Sequence, residues 1–364
     1  MKTFRPFEIV LVAFLVLLTV SCKLPFQSDK VSTPEFEPEG GNYAAPVTVT
    51  ISCDTDDAVI HYTTDGSAPT SASPEYTAPI LVSTTTTIKA IGTLDDHEDS
   101  GVASQTYTIG SSGNSMVLIS GGSFSMGDTQ GVGETWELPV HTVNVNSFYI
   151  GKYEVTYSEW LQYMPYANNL GDAYPVQSVS WYAALKYCNL RSSGEGLNPV
   201  YSINGSTDPN DWGSVPASNN PDWNTAICNW NANGYRLPTE AEWEFAARAG
   251  SDLLYSGSSD IDAVAWYEGN NTTYAPKPVG GKAANGNGLF DMSGNVWEWC
   301  WDWYGDYPNT GQANPHGPAS GTLRVGRGGN WDVAAQNCRV ASRNINQFPA
   351  QTEGFQGLRV CRNF

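Results

Sequence analysis

The acidic residues best placed for chemistry lie in one aromatic stretch, Asn287–Trp303, with the sequence NGLFDMSGNVWEWCWDW. Residues two apart on a strand share a face, so an extended run places its four tryptophans on one side. Glu298, Cys300 and Asp302 then point to the other side. We expect the indoles to organise a domain core, with ion or ligand chemistry on the polar face. The alternative is a plain core strand with a polar outer surface.

Other catalytic patterns are missing from the sequence. It contains no Gly-x-Ser-x-Gly motif and no phosphate-binding loop. Glu298 and Asp302 would stand about 13 Å apart on a strand, at ~3.3 Å per residue, which is too far for a typical glycosidase pair. The histidines are isolated and lack zinc-ligand spacing. They are His61, His97, His141 and His316.

The composition indicates a folded, loop-rich chain that does not bind nucleic acid. Hydrophobic residues make up 40% of the 364 residues and charged residues only 15%, which excludes a disordered chain. The 36 Gly, 22 Pro and 13 Trp favour a β-containing fold with many loops. The net charge of −19 argues against a nucleic-acid partner, because phosphate binding needs clustered Lys and Arg.

The N-terminus carries an export signal. Residues 1–21 combine a short basic region with the apolar run Ile9–Val20, which is too short to span a bilayer comfortably. The run ends in a small residue before Cys22 and resembles a bacterial lipobox. This resemblance implies a lipidated Cys22, a bilayer partner and a place in the bacterial cell envelope, at the outer membrane or the periplasmic face. An ordinary cleaved signal peptide is the alternative. Residues 22–40 are expected to form a tether.

Residues 41–109 contain short β-rich runs separated by turn residues, which is typical of a small β-sandwich. The runs are Val47–Ile51, Ile60–Thr64, Ile80–Val82, Thr86–Ile91 and Gln105–Ile109. Several motifs, including Tyr62–Thr70, resemble the Ig-like domain at the end of chitobiase-type hexosaminidases. That resemblance implies a non-catalytic spacer or a weak glycan contact.

A linker at residues 110–115 precedes a second domain at residues 116–364. Its predicted elements are few and widely spaced. We expect a hairpin at Met116–Gly127, a strand at Val140–Tyr149, and helices capped by Thr156, Ser180 and Thr239. So few helices among so much loop indicate an α+β domain with sparse secondary structure.

This second domain resembles the formylglycine-generating enzyme family, also called the sulfatase-modifying-factor fold, an elaborated relative of the C-type lectin fold. Seven ordered motifs carry the resemblance. They are Gly121–Gly127, Tyr153–Thr156, Pro175–Trp181, Gly234–Glu244, Asn287–Trp299, Arg327–Gly329 and Gly357–Val360. The resemblance implies calcium bound by Asp291, by Glu298 and by the backbone carbonyls of Gly294 and Val296. The alternative is that Glu298 simply accepts backbone hydrogen bonds.

The family also carries a cysteine pair that binds copper and oxidises a sulfatase cysteine to formylglycine. Counted without gaps from Arg327, Val333 stands at the first cysteine position and Cys338 at the second. One thiol cannot supply a two-sulfur copper site. The six cysteines other than Cys22 permit disulfides in an exported protein but do not assign them.

Three functions follow as hypotheses. The first is a non-catalytic protein that binds a ligand, a glycan or another protein, similar to lectin-like members of this fold that retroelements diversify. The second is an oxidase that uses copper and Cys338. The third is a scaffolding factor of the cell envelope. For the first, aromatic and amide groups of the last segment are the candidate ligand contacts. They are Trp331, Asp332, Gln336, Asn337, Asn344, Asn346 and Gln347.

Overall fold

The computed structural model describes residues 30–43, 47–82, 86–109, 116–165, 170–352 and 355–364. The predicted signal peptide, Cys22 and the linker at 110–115 lie outside these ranges. Within them, no helix is long and apolar enough to cross a membrane.

The chain divides into two compact units. The smaller unit contains Val49–Ile80, Thr87–Gln105 and a segment that ends at Glu39. The larger unit contains Gly40–Thr48, Leu81–Thr86 and Thr106–Phe364.

Seven short strands make up the N-terminal sheets. They are β1 (Glu35–Glu37), β2 (Gly41–Tyr43), β3 (Val47–Ser52), β4 (Val59–Thr63), β5 (Ile80–Val82), β6 (Thr86–Thr93) and β7 (Ala103–Ile109). One sheet has the order β1-β3-β5 and the other the order β2-β7-β6-β4. All five predicted runs are strands. Residues 22–40 were expected to form a tether, but their described part contains a strand. β1 pairs with β3, and Phe36 is buried.

The larger unit has twelve further strands, five α-helices and two 3-10 helices within the described ranges. The strands are β8 (Met116–Ile119), β9 (Gly122–Met126), β10 (His141–Val145), β11 (Phe148–Gly151), β12 (Tyr201–Ser202), β13 (Ile227–Cys228), β14 (Trp297–Trp303), β15 (Gln312–Ala313), β16 (Arg324–Arg327), β17 (Arg343–Gln347), β18 (Gln356–Gly357) and β19 (Cys361–Asn363). The helices are α1 (Tyr157–Trp160), α2 (Trp181–Gly194), α3 (Pro221–Asn224), α4 (Glu240–Arg248) and α5 (Ile261–Val264). This sparse α+β architecture confirms the predicted fold class.

Four sheets organise the larger unit, with the orders β15-β10-β9, β19-β11-β8, β12-β13 and β17-β16-β14-β18. The predicted hairpin at Met116–Gly127 is wrong. β8 pairs with β11, and β9 pairs with β10, so the two strands enter different sheets. The predicted strand at Val140–Tyr149 is likewise divided into β10 and β11. Strand β8 therefore does not pair with β9, and β10 does not pair with β11.

The three predicted helix caps are confirmed. Thr156 and Thr239 each form a complete capping box, with Glu159 and Glu242 respectively. The hydroxyl of Ser180 accepts a hydrogen bond from the backbone N–H of Ala183 at 3.1 Å. These contacts satisfy backbone donors that the first helical turn leaves free.

The predicted strand β14 is present, but the polar outer surface of the alternative interpretation is wrong. Glu298, Cys300 and Asp302 are all buried, as are three of the four tryptophans. Trp299 packs in one large hydrophobic cluster, and Cys300 packs in a second one on the other side of the strand. β14 is therefore a central strand covered on both faces, and its carboxylates must find partners inside the protein.

Candidate functional site

The loop leading into β14 carries the predicted calcium ligands and folds tightly. Asp291 and Asn295 have positive φ angles of 57° and 64°. Gly294 has a φ of 80° and lies against Trp266, where an added Cβ would come within 2.2 Å of the Trp266 carbonyl oxygen. Glycine is therefore required at this position.

Glu298 is fully buried and bound by two side chains. The Arg359 guanidinium donates to it from Nη2 at 2.7 Å and from Nε at 3.0 Å. The Trp243 indole N–H donates to Oε2 at 2.7 Å. Glu298 thus accepts hydrogen bonds inside the protein, from side chains rather than from the backbone amides expected in the alternative interpretation.

Glu154 is a third carboxylate of this site, which sequence analysis quoted only as part of a motif. It is fully buried and accepts hydrogen bonds from the backbone N–H of Val296 at 3.0 Å and from the Asn295 amide at 2.7 Å. Its contacts hold the loop that carries the predicted metal ligands. The signal in the sequence was an acidic residue in the motif Tyr153–Thr156, two positions before the helix cap Thr156.

The three carboxylates exceed the positive charge around them. Arg359 is the guanidinium that faces Glu154, Asp291 and Glu298 together. Burial, and then the charge of Asp291, raises the pKa of Glu154 well above its usual range. Burial also raises the pKa of Asp291 to about 6. A hard cation with oxygen ligands would offset this excess of negative charge.

The ligands available for such an ion are of mixed kind. Among the residues that the structure describes, no three His, Cys, Asp or Glu side chains form a group that could hold a metal ion. The predicted set differs from such a group, because two of its four ligands are the backbone carbonyls of Gly294 and Val296.

The two positions that the resemblance assigns to the cysteine pair lie in one apolar cluster. Cys338 is fully buried with Tyr255 and Val264, and Val333 packs against the same cluster. Burial raises the pKa of the Cys338 thiol to about 12. The cysteines that the structure describes are all free thiols. They are Cys53, Cys188, Cys228, Cys300, Cys338 and Cys361.

The candidate ligand contacts of the last segment differ in exposure. Asp332 and Gln336 are exposed, Trp331, Asn337 and Asn344 are half-buried, and Gln347 is buried. Asn346 belongs to β17, but its side chain lies outside the described part of the structure. The exposed surface of this segment is therefore concentrated at residues 331–337, around a 3-10 helix at Ala335–Cys338.

Backbone hydrogen bonds join this segment to the loop before β14. The N–H of Trp331 donates to the carbonyl of Asn295 at 2.9 Å. The N–H of Gly294 donates to the carbonyl of Gly328 at 2.7 Å. The predicted metal loop and the predicted ligand segment are thus one connected structure.

Comparison with protein families gives two matches. Residues 103–364 match the sulfatase-modifying factor enzyme 1-like domain. Residues 38–106 match the chitobiase/beta-hexosaminidase C-terminal domain. Together the two matches cover residues 38–364, which include every strand and helix after β1.

Individual relatives agree with the first match. The chain is 37% identical to the chaperone protein LppX of Paenibacillus barcinonensis over 68% of this chain and 89% of the relative. It is 32% identical to the formylglycine-generating enzyme of Streptomyces coelicolor, covering 68% of this chain and 88% of that enzyme. Among solved structures, Treponema denticola variable protein 1 is 34% identical, with a TM-score of 0.62 over 68% of this chain and 95% of that one. The chain therefore belongs to the family of sulfatase-modifying factor enzyme 1-like domains, with a chitobiase-type Ig-like domain ahead of it.

Proposed function

We propose that this protein is a lipid-anchored binding protein of the bacterial cell envelope and that its sulfatase-modifying-factor domain does not oxidise cysteine. The observation that carries the proposal is Val333, which stands at the first cysteine position and leaves Cys338 as a single thiol. Copper in such chemistry needs two thiolates. A single buried thiol whose pKa is raised holds its proton at neutral pH and is a poor ligand.

An oxidation assay tests the absence of catalysis. The purified protein is loaded with copper and incubated with a Cys-x-Pro-x-Arg peptide, and mass spectrometry follows conversion of the cysteine to the aldehyde. We expect no conversion, with an active formylglycine-generating enzyme as the positive control. Conversion that disappears in Cys338→Ser would establish the oxidase instead.

We place the ligand on the exposed part of the last segment, at Asp332 and Gln336 with the half-buried Trp331 and Asn337 beside them. Similarity to a protein named as variable supports a diversified, lectin-like surface here. An adenine-rich template repeat and a reverse transcriptase gene beside this gene are expected of diversification. Their absence would remove that part of the proposal.

A pair of double variants tests the location of the ligand site. Asp332→Ala with Gln336→Ala should abolish binding on a glycan array or to surface proteins, because both side chains are exposed in the segment. Gln162→Ala with Asp172→Ala removes the same two residue types from exposed positions elsewhere in the larger unit and should bind as the wild type does. Equal loss in both double variants would contradict the proposed location.

A second candidate function is an assembly factor that holds other envelope proteins. Its support is the 37% identity to a protein named as a chaperone, over 89% of that protein. Affinity purification from envelope extracts distinguishes the two. A stoichiometric protein partner retained by the Asp332→Ala, Gln336→Ala variant, together with no glycan bound on an array, would favour assembly over ligand binding.

We also propose that the loop before β14 binds calcium through Asp291, Glu298 and the carbonyls of Gly294 and Val296. The excess of buried carboxylates around Arg359 supports it. Calcium at about 100 times its dissociation constant should stabilise the fold by about 2.7 kcal/mol. The measurement is thermal unfolding with calcium and with a chelator. Asp291→Asn should abolish the difference, and an unchanged difference in this variant would contradict the ligand set.

A further inference from the structure

A cavity of about 300 Å³ lies at the C-terminal end of β14, the end away from the predicted metal loop. Part of its wall is apolar and is formed by Met126, Ala241 and the prolines Pro308, Pro315 and Pro318. Its polar wall contains Asp302, Glu240 and Asp306 together with a single guanidinium, that of Arg343. The cavity has the volume of a small-molecule site and an excess of negative charge.

Asp302 is the unusual group of this cavity. Its side chain is 4% exposed, and its Oδ2 accepts a hydrogen bond from the backbone N–H of Glu240 at 2.9 Å. No ion pair to Asp302 is present among the described residues. Glu240, by contrast, accepts from Arg343 Nε at 2.6 Å and from Nη2 at 2.8 Å. Asp302 is therefore a buried carboxyl group with no cation in direct contact among the described residues, which is costly in its charged form.

A glycine packs directly against this carboxyl group. Gly317 has a φ of 73°, and an added Cβ there would lie 3.0 Å from Oδ1 of Asp302. Any other residue at this position would press on the carboxyl group and would strain the backbone. Asp302 and Gly317 both line the cavity, so the carboxyl group meets the cavity beside this close contact.

We propose that this cavity binds a primary alkylammonium group, with the ammonium on Asp302 and its methylene chain against the proline wall. An ammonium supplies the counter-ion that Asp302 lacks and donates three hydrogen bonds. An anion would meet the acidic groups Asp302 and Asp306, and a neutral ligand could not form an ion pair with Asp302. A lysine side chain of another protein and a free alkylamine share this chemistry.

This site is separate from the ligand segment at residues 331–337 and from the assembly function, so it extends the proposed function. The alternative is that Asp302 only caps the first N–H of α4. Capping needs no cation, so a measurement of alkylammonium binding distinguishes the two interpretations.

Proton release gives the proposal a specific signature. Burial, and then the charge of Glu240, raises the pKa of Asp302 to about 8, so the free carboxyl group is mostly protonated at pH 7. Ammonium binding favours the carboxylate and must release a proton. Affinity should therefore rise about tenfold per pH unit between pH 6 and 7 and level off above the pKa. The charged and titratable groups that face Asp302 or line the cavity are Glu240, Glu242, Arg324, Cys300, Asp306, Tyr307, His141, His316 and Arg343.

Calorimetry on the purified full chain tests the inference. The probes are n-butylamine, a peptide with one lysine, and n-butanol as the neutral match for butylamine. We expect the amine to bind, butanol to bind at least tenfold more weakly, and proton release to show as a heat that depends on the buffer. Binding of the peptide but not of butylamine would identify a protein lysine as the source. Equal binding of butanol, absence of binding by both amines, or affinity independent of pH would overturn the proposal.

Two variants complete the test. Asp302→Asn keeps an oxygen that accepts from the Glu240 N–H, so its melting temperature should stay near that of the wild type while amine affinity falls at least tenfold. Asp306→Asn removes an exposed carboxylate from the same cavity and should change affinity less than threefold, because water screens it. Unchanged amine binding by Asp302→Asn would show that Asp302 only caps α4.

Discussion

At the residue scale, the larger unit is distinguished by buried arginine–carboxylate pairs. Arg359 with Glu298, Arg327 with Glu244, and Arg339 with Glu137 are all nearly inaccessible to solvent. A chain with so little regular structure needs other contacts to fix its loops. These pairs hold loops and strands to one another, although burying them costs solvation free energy.

Among these arginines, Arg359 is the one whose loss should lower the free energy of unfolding most. Arg359→Met leaves Glu154, Asp291 and Glu298 buried without their shared cation, so we expect a loss of about 3–5 kcal/mol in the free energy of unfolding. Urea unfolding measures it. Lys30→Met is the control, since Lys30 and Glu98 are 54% and 61% exposed and such pairs contribute about 0–1 kcal/mol. Equal costs in the two variants would contradict this account.

Thiol chemistry gives a second prediction at this scale. Burial raises the pKa of Cys338 from 9.0 to about 12, which leaves roughly 1,000-fold fewer thiolates at pH 8. Alkylation of the folded protein, followed by peptide mass mapping, should therefore label the half-buried Cys53 well before Cys338. Rapid labelling of Cys338 would show a reactive, accessible thiol and would reopen the copper hypothesis.

At the scale of elements, local features could be predicted and strand pairing could not. Each cap depends on groups three residues apart, so Thr156, Ser180 and Thr239 were identifiable from sequence. The partners of β8 and β9 depend on β11 and β10, which follow a long loop. Burial of the second face of β14 could not be predicted either. The groups that bind Glu298 belong to Trp243 and Arg359, which are 55 and 61 residues away in the sequence.

The cap of α4 is directly testable. Thr239→Ala removes the hydroxyl that accepts from the Glu242 N–H, and we expect a loss of about 1 kcal/mol in the free energy of unfolding. Thr239→Ser keeps the hydroxyl and should remain within a few tenths of a kcal/mol of the wild type. Chemical denaturation of both variants measures the difference. A similar loss in the serine variant would indicate that the methyl group, not the cap, stabilises this helix start.

At the scale of the whole molecule, family membership was evident from ordered motifs, but the composition of the site was not. Glu154 contacts residues 141 and 142 positions further along the chain, and no local pattern reveals such a distance. The candidate ligand contacts were predicted from the resemblance to the family. Their division into exposed Asp332 and Gln336 and buried Gln347 required the three-dimensional structure.

Attachment to the membrane is a prediction for the whole chain. Cys22→Ser should abolish incorporation of labelled fatty acid and should move the protein from the detergent phase to the aqueous phase in a phase-separation assay. Ser21→Ala keeps a small residue before Cys22 and serves as the control, which should still be lipidated. Detergent partitioning that persists in Cys22→Ser would indicate a different anchor.

The backbone bonds from Trp331 to Asn295 and from Gly294 to Gly328 have a consequence for evolution. They join Gly328 and Trp331 to the loop before β14 through main-chain atoms, so these two contacts do not depend on which side chains point outward. Asp332 and Gln336 can then be replaced by almost any residue with little change in the free energy of unfolding. Substitutions at these two positions can therefore change the exposed surface while the fold is kept. Selection for new partners can act on them directly.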